Sequence, residues 1–385
     1  MSYASNQSRV EGDFVNINAR VYRKMGLHEI INARGPATSI GNTIMDSEVL
    51  DAMVAASKFN VEMDKLQKAA SKIIARITGA EAGYVTSGAA AGIVIATAAC
   101  MTGTNLFKIK QLPNSKGMKN EVIIQRGHMC WFEHMIRMAG ARIVDVGNTG
   151  YTLPGCIEGA INENTVAIAY IIGHMCVQKG MLPLQKVVEI AKKADIPTIV
   201  DAAGERNLKK YVATGADLVI YSGGKAIGGP GNSGFICGRE DLVKACVLQG
   251  KGIGRPMKTS KEDIIGLLTA LERYATKDHA PELRRQHAIA KYIVDQLKGI
   301  PNIDASKKKG EVRKLEARAE LILDEEALGF TAFDLYRMLK DGDPSIHVRD
   351  EFANLGIIQI DPTYLLEDQE KVVVKRLKEI LTLSH

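Results

Sequence analysis

Val219-Ile220-Tyr221-Ser222-Gly223-Gly224-Lys225-Ala226-Ile227-Gly228-Gly229-Pro230-Gly231 is the stretch from which the fold can be read. The apolar run from Ala216 to Tyr221 reads as a buried strand that breaks into a glycine-rich loop. Lys225 sits in that loop with two glycines before it and three after. Glycines there permit close backbone approach and positive φ, both of which a bound ligand often demands. A lysine held off the end of an apolar strand is poorly solvated, so its pKa is expected to fall. The free amine can then condense with a carbonyl compound. On its own the motif fits an ordinary loop lysine as well as a catalytic one.

Upstream, Ile196-Pro197-Thr198-Ile199-Val200-Asp201-Ala202-Ala203 is a second apolar strand that ends in a carboxylate, twenty-four residues before Lys225. Two consecutive strand ends therefore offer Asp201 and Lys225 at one edge of a sheet, where α/β proteins bind ligands. Pyridoxal 5'-phosphate needs such a pair: a lysine for its aldehyde and an acid that keeps its pyridine nitrogen protonated. A phosphate cradle is the third requirement. Val85-Thr86-Ser87-Gly88-Ala89-Ala90-Ala91-Gly92 places small residues between a strand and the apolar helix Ala89 to Met101, leaving N–H groups to face an anion. The alternative for these three parts is an ordinary nucleotide-binding α/β domain.

With 385 residues the chain is too long for one ordinary core. The expected division is an N-terminal arm over 1–28, a large cofactor-binding α/β domain over 29–275, and a bridging helix with a small α+β domain over 276–385. No apolar run of membrane-spanning length lies near either end, and the first twelve residues lack a signal pattern, so a cytoplasmic location is expected. Six scattered cysteines without CxxC spacing argue against disulfides and zinc. The net charge of +6 suits anionic metabolites and is too diffuse to argue for nucleic acid.

Strand and helix alternate from residue 82 to 237, which predicts a mostly parallel sheet with helices on both faces. Strands are expected at Ala82–Thr86, Glu121–Gln125, Ile143–Val146 and Val166–Ile172. Ser47 is the expected cap of a helix through Ala56, and Met63–Thr78 reads as a helix stopped by Gly79. Lys108–Gly117 reads as an exposed loop, and Ser306–Lys314 as a basic solvated hairpin or loop. The C-terminal part reads strand (Ala317–Leu323), helix (Ala332–Lys340), strand (Ile346–Arg349), strand (Gly356–Ile360), helix (Gln369–Leu383).

The chain resembles the fold-type I pyridoxal-phosphate enzymes of the selenocysteine-synthase-like group, and within it the D-glucosaminate-6-phosphate ammonia-lyases. The resemblance rests on Ile31-Asn32-Ala33-Arg34-Gly35, Gly79-Ala80-Glu81-Ala82, Thr86-Ser87-Gly88-Ala89-Ala90, Val200-Asp201-Ala202-Ala203, Ser222-Gly223-Gly224-Lys225 and Arg255-Pro256-Met257-Lys258-Thr259-Ser260-Lys261-Glu262. It implies an aminotransferase-like fold whose large α/β domain carries a mostly parallel sheet. By this resemblance Lys225 holds the cofactor and moves protons, and Asp201 supports the ring nitrogen. Ser87, Gly88 and Ala89 hold the phosphate, with a second hydroxyl from Ser222. His128, just after a strand, is the expected ring stacked on the cofactor, with Phe132 as its rival. His174 meets the cofactor's 3-oxygen side or the substrate, or is a packed polar side chain. Arg255 and Lys258 suit an anionic substrate end, a neighbour's cofactor phosphate or a solvated loop. Arg349 is expected on the substrate carboxylate. Arg34, where the family leads one to expect a small residue, adds a cation at the mouth of the site.

The implied reaction is α-proton abstraction and β-elimination of a hydroxyl from an anionic amino-sugar acid, giving a 2-keto-3-deoxy acid and ammonia. Alternatives are a selenocysteine synthase-like transferase, an amino-acid racemase or β-lyase, and a non-catalytic cofactor-binding scaffold. The expected partners are a small anionic substrate and further copies of the chain as a homodimer or higher homo-oligomer, with no nucleic acid, membrane or metal.

Overall fold

The computed structural model describes residues 21–22, 24–173, 175–309 and 316–382. The chain forms two compact units, one over 36–280 and one built from described residues of 1–35, 281–309 and 316–382. Those divisions fall at 35/36 and 280/281, where the sequence suggests 28/29 and 275/276. The expected arm at 1–28 lies largely outside the described residues.

Strand β1 (Ile30–Ala33) belongs to the smaller unit. The larger unit holds β2 (Ala82–Thr86), β3 (Glu121–Gln125), β4 (Arg142–Val146), β5 (Thr165–Ile171), β6 (Thr198–Asp201), β7 (Leu218–Ser222) and β8 (Gly234–Gly238). They make one seven-stranded sheet in the order β2-β8-β7-β6-β5-β3-β4. Strand β8 runs antiparallel to both neighbours and every other pairing is parallel. The mostly parallel sheet expected from the alternating pattern is present.

Both faces of this sheet are buried, which explains why its strands read as continuous apolar runs. Successive residues of β7 point to opposite faces. Val219 and Tyr221 pack into one cluster with Ile74 and Leu267, while Leu218 and Ile220 pack into another with Ile93 and Val94. Ile93 and Val94 lie on the helix Ala89–Thr102, which is buried along most of its length. Fixing that helix to the sheet also fixes where its N-terminus points.

Local signals set the flanking helices. The helix Met63–Thr78 ends at Gly79 as expected, with the Gly79 N–H on the Ala75 carbonyl. The helix that follows Asp46 runs Ser47–Ser57, and the Asp46 carboxylate caps it by accepting from the Glu48 N–H at 3.0 Å. This corrects the expected cap at Ser47: the carboxylate one residue earlier takes the amide. Lys108–Gly117 is not wholly a loop, because Leu106–Gln111 is helical. There Asn105 accepts from the N–H groups of Phe107 and Lys108, and Ile109 is buried, so the lysines ride on a short helix.

In the smaller unit β1 pairs in parallel with β11 (Ser345–Val348), following β9 (Ile303–Lys309) and β10 (Ala317–Leu323) in the chain. With β12 (Ile357–Ile360) those two form an antiparallel sheet in the order β12-β10-β9. The Ser306–Lys314 segment is therefore strand as far as Lys309, and 310–315 lie outside the described residues. Exposed Lys307, Lys308 and Lys309 mark β9 as an edge, where charge discourages pairing with another chain. The helices Ala332–Lys340 and Gln369–Thr382 bury Leu335, Leu339, Val373 and Leu377 with Leu321 and Val348.

Candidate active site

The register of three strands brings the sequence-predicted residues together. Gly234 on β8 lies opposite Ser222 of β7 on one side and Thr86 of β2 on the other. Thr86 and Ser222 therefore stand level at one sheet edge, two strand spacings or about 10 Å apart. Asp201 closes β6 one step down, paired with Ile220. The C-terminal ends of β2, β6 and β7 thus carry the Ser87 turn, Asp201 and the Lys225 loop along a single edge.

The Ser87 turn is shaped by two glycines. Gly88 caps the helix Ala89–Thr102 with φ 96° and ψ 166°, a conformation that residues with a Cβ avoid. A Cβ on Gly234 would lie 2.7 Å from the Tyr221 oxygen and 2.9 Å from the Ala89 nitrogen, so only glycine lets the turn rest on the sheet. The Thr86 hydroxyl donates to the Gly88 carbonyl at 2.9 Å and the Gly92 N–H bonds the same oxygen at 3.1 Å. The first N–H groups of the helix have no acceptor within it, and Ser87, Gly88 and Ala89 are only half-buried, an arrangement able to receive an anion. The Ser87 hydroxyl donates to the Met257 carbonyl at 2.9 Å, which ties the turn to Arg255–Met257.

Lys225 is half-buried in a loop that closes on itself. The Gly223 N–H donates to the Ser233 oxygen and the Gly229 N–H to the Gly223 oxygen, both at 2.8 Å. The ring beside the Lys225 amine is that of Phe132, with Nζ 6.0 Å from its centroid. Asp201 is 6% exposed. Burial pushes its carboxyl above the usual carboxylate range, against the pull of the nearby Lys225 charge and of a hydrogen bond from the Ala203 N–H at 3.0 Å. A cationic ring nitrogen would relieve that burial cost, and the cradle and amine complete the donor set for pyridoxal phosphate. The residues fit the group.

His128 is fully enclosed, edge-on to Tyr170 with ring centroids 4.5 Å apart, and neither ring nitrogen has a hydrogen-bond partner among the described residues. Burial lowers its pKa from 6.5 to about 4, so it is neutral at pH 7. Because the folded pKa is depressed, stability is full above pH 6.5 and is lost as the pH falls through about 4. In the cofactor-free protein, moving from pH 7 to 5 is expected to cost roughly 2 kcal/mol through this group alone. Urea unfolding of His128→Leu at both pH values checks it, and an undiminished pH dependence would show that His128 is not the source.

Four other predicted residues behave differently. Arg255 and Lys258 are exposed, and no ion pair to either occurs among the described residues. Arg34 and Arg349 belong to the smaller unit and are engaged there. Arg34 meets Asp350 at 2.5 Å and Glu351 at 3.3 Å, and Arg349 meets Glu351 at 3.4 Å and Asp361 at 3.9 Å. Burial raises the Asp361 carboxyl, but Arg318 and Arg349 outweigh it and hold the group below its usual range. His174 lies outside the described residues.

The residue pattern of SelA, L-seryl-tRNA selenium transferase, matches residues 30–301. The chain belongs to that family. It is 37% identical over 364 residues to D-glucosaminate-6-phosphate ammonia lyase of Salmonella typhimurium, covering 94% of this chain and 97% of that one. It is also 37% identical over 367 residues to 5'-C-glycyluridine monooxygenase-decarboxylase of a Streptomyces species, covering 94% and 92%. A solved D-glucosaminate-6-phosphate ammonia-lyase structure matches with a TM-score of 0.83 at 36% identity, over 96% of this chain and all of that one. A variant of Thermus thermophilus aspartate aminotransferase matches with a TM-score of 0.57 at 16% identity, over 93% and 98%, and shares the fold. The protein is therefore an enzyme of the pyridoxal-phosphate-dependent, aminotransferase-like class. No helix among the described residues is long and apolar enough to cross a membrane.

Proposed function

We propose that this chain is an ammonia-lyase acting on an anionic amino-sugar acid of the D-glucosaminate-6-phosphate kind, releasing a 2-keto-3-deoxy acid and ammonia. The observation that carries this reading is the match to the ammonia lyase in sequence and fold over nearly both whole chains, with Asp201 and Lys225 at one sheet edge. When bound, pyridoxal phosphate supplies the electron sink for the pair left behind as the substrate α-proton departs. Ser87, Gly88 and Ala89 hold its phosphate through backbone N–H groups, with the Ser222 hydroxyl as a further donor. Asp201 holds a proton on the ring nitrogen, and the Phe132 ring walls the side beside Lys225. Lys225 would hold the aldehyde until the substrate's amine displaces it, and its freed amine would then take the proton from Cα. Hydroxide leaves Cβ with a proton as water, and the released enamine hydrolyses to the keto acid and ammonia.

Arg34 and Arg349 are spent on carboxylates, so we assign the substrate's anions to Arg255 and Lys258. Their turn is bonded to the Ser87 cradle through Met257. Arg255→Ala is expected to raise KM for a phosphorylated amino-sugar acid about 10-fold more than for its dephosphorylated analogue, the size of one charged hydrogen bond. Equal effects on both would strike the phosphate from the substrate.

The monooxygenase-decarboxylase relative, at the same identity, supports a second reading in which the chemistry consumes dioxygen. A screen of amino-sugar acids separates the two. Ammonia and keto-acid release that persists without oxygen supports the lyase, and oxygen uptake matched to carbon dioxide release overturns it.

The working unit is proposed to be at least a homodimer in the cytoplasm. Exposed Leu50 and Val54 on the helix Ser47–Ser57, with Phe59 and Val61 beyond it, offer apolar surface for a second copy. Sedimentation of active enzyme tests this, and a fully active monomer defeats it.

A further inference from the structure

Two thiols at the same sheet edge have no part in the proposed reaction. Cys130 lies five residues past the end of β3, and Cys176 five past the end of its parallel neighbour β5. Their loops run side by side. The Val177 N–H donates to the Gly127 oxygen at 2.8 Å, and the Cys176 Sγ lies 3.6 Å from the His128 carbonyl oxygen. The two thiols are near enough to shift each other's titration, and both feel the Asp201 charge. Cys176 is buried, whereas Cys130 is half-buried beside Trp131, which is 82% exposed. Phe132, two residues after Cys130, is the ring beside Lys225.

We propose that Cys130 and Cys176 form a reversible dithiol switch that closes to a disulfide by exchange with a small-molecule disulfide such as oxidised glutathione. The Cys130 thiolate attacks one sulfur of the oxidant, forming a mixed disulfide and expelling one thiolate, which takes up a proton. Cys176, having given its proton to solvent, then attacks the Cys130 sulfur and expels the second thiolate. Two protein thiols are oxidised and one disulfide is reduced to two thiols.

The order follows from access and from charge. Cys130 is half-buried where Cys176 is buried. The neighbouring Cys176 lowers the Cys130 pKa, while Cys130, and then burial, raise that of Cys176. Closure fixes the sulfur separation at about 2.0 Å, shorter than any contact between two free thiols. That pull acts on the Cys130–Phe132 segment beside Lys225. In a reducing compartment such a pair stays open until the thiol pool is oxidised.

The closure is tested on the full cofactor-free chain treated with oxidised glutathione. Two of the six thiols should disappear with no glutathione added to the mass, a peptide linking Cys130 to Cys176 should appear, and dithiothreitol should restore both. Cys176→Ser should instead accumulate a glutathione adduct on Cys130. A lasting adduct on Cys130 in the natural chain, or oxidation of other cysteines ahead of this pair, overturns the proposal. The effect on the site rests on the cofactor reading above and has its own measurement. Titration with pyridoxal phosphate should show about 10-fold weaker binding after closure. Equal affinity in the two forms overturns that effect, and no binding to the reduced form refutes the cofactor reading while the mass result stands by itself.

Discussion

Lys225→Ala is expected to give a folded protein that attaches no cofactor covalently and turns over at least about 10³-fold more slowly. The loop around Lys225 is closed by the backbone bonds of Gly223 and Gly229 and by the Ser233 hydroxyl on the Pro230 oxygen at 2.7 Å. Truncating a half-buried side chain leaves those bonds in place. The unfolding midpoint should therefore stay close to that of the natural chain. What is lost is the amine. Borohydride reduction of the natural protein, followed by peptide mapping, provides the check. A pyridoxyl group on any other lysine would move the whole assignment away from this loop.

The residues of the large unit's sheet edge were legible because each is fixed by local chain chemistry. An apolar strand must end somewhere, and at Asp201 and Ser222 the polar residue or the glycines that follow mark where. Chain order in a parallel sheet then brings consecutive ends together without any long-range knowledge. The helix at Leu106–Gln111 was missed because its signal is one asparagine, hidden among lysines that resemble a loop.

Pairings across long sequence separations were harder to see. Arg34 and Arg349 carry free positive charge on paper, and only the parallel pairing of β1 with β11 shows that Asp350 and Glu351 take it up. The same holds for Cys130 and Cys176. Without close spacing they look scattered, yet each sits the same distance beyond one of two adjacent strands. Phe132 is the rival to His128 for the ring on the cofactor; the fold puts the Phe132 ring beside Lys225 and the His128 ring edge-on to Tyr170.

Asp201→Asn should bind cofactor yet lose on the order of 10²-fold or more in turnover, because a neutral amide cannot hold the ring nitrogen protonated. The geometry favours a clean experiment. The amide oxygen of asparagine can still accept from the Ala203 N–H, so the strand end keeps its shape. The effect on the empty fold runs the other way. With its pKa raised by burial, Asp201 contributes stability that is full below the ordinary carboxylate pKa and is lost as the pH rises through the raised folded value. Above that range the cofactor-free protein bears a burial cost on this carboxyl that the neutral amide of asparagine does not carry. The variant's cofactor-free form should be at least as stable as the natural chain, while its loaded form turns over far more slowly. Thermal unfolding of the empty protein and turnover of the loaded one separate the two effects. Near-natural turnover would send the role to another acid, and a destabilised empty fold would mean that Asp201 is held charged by its neighbours rather than waiting for a cation.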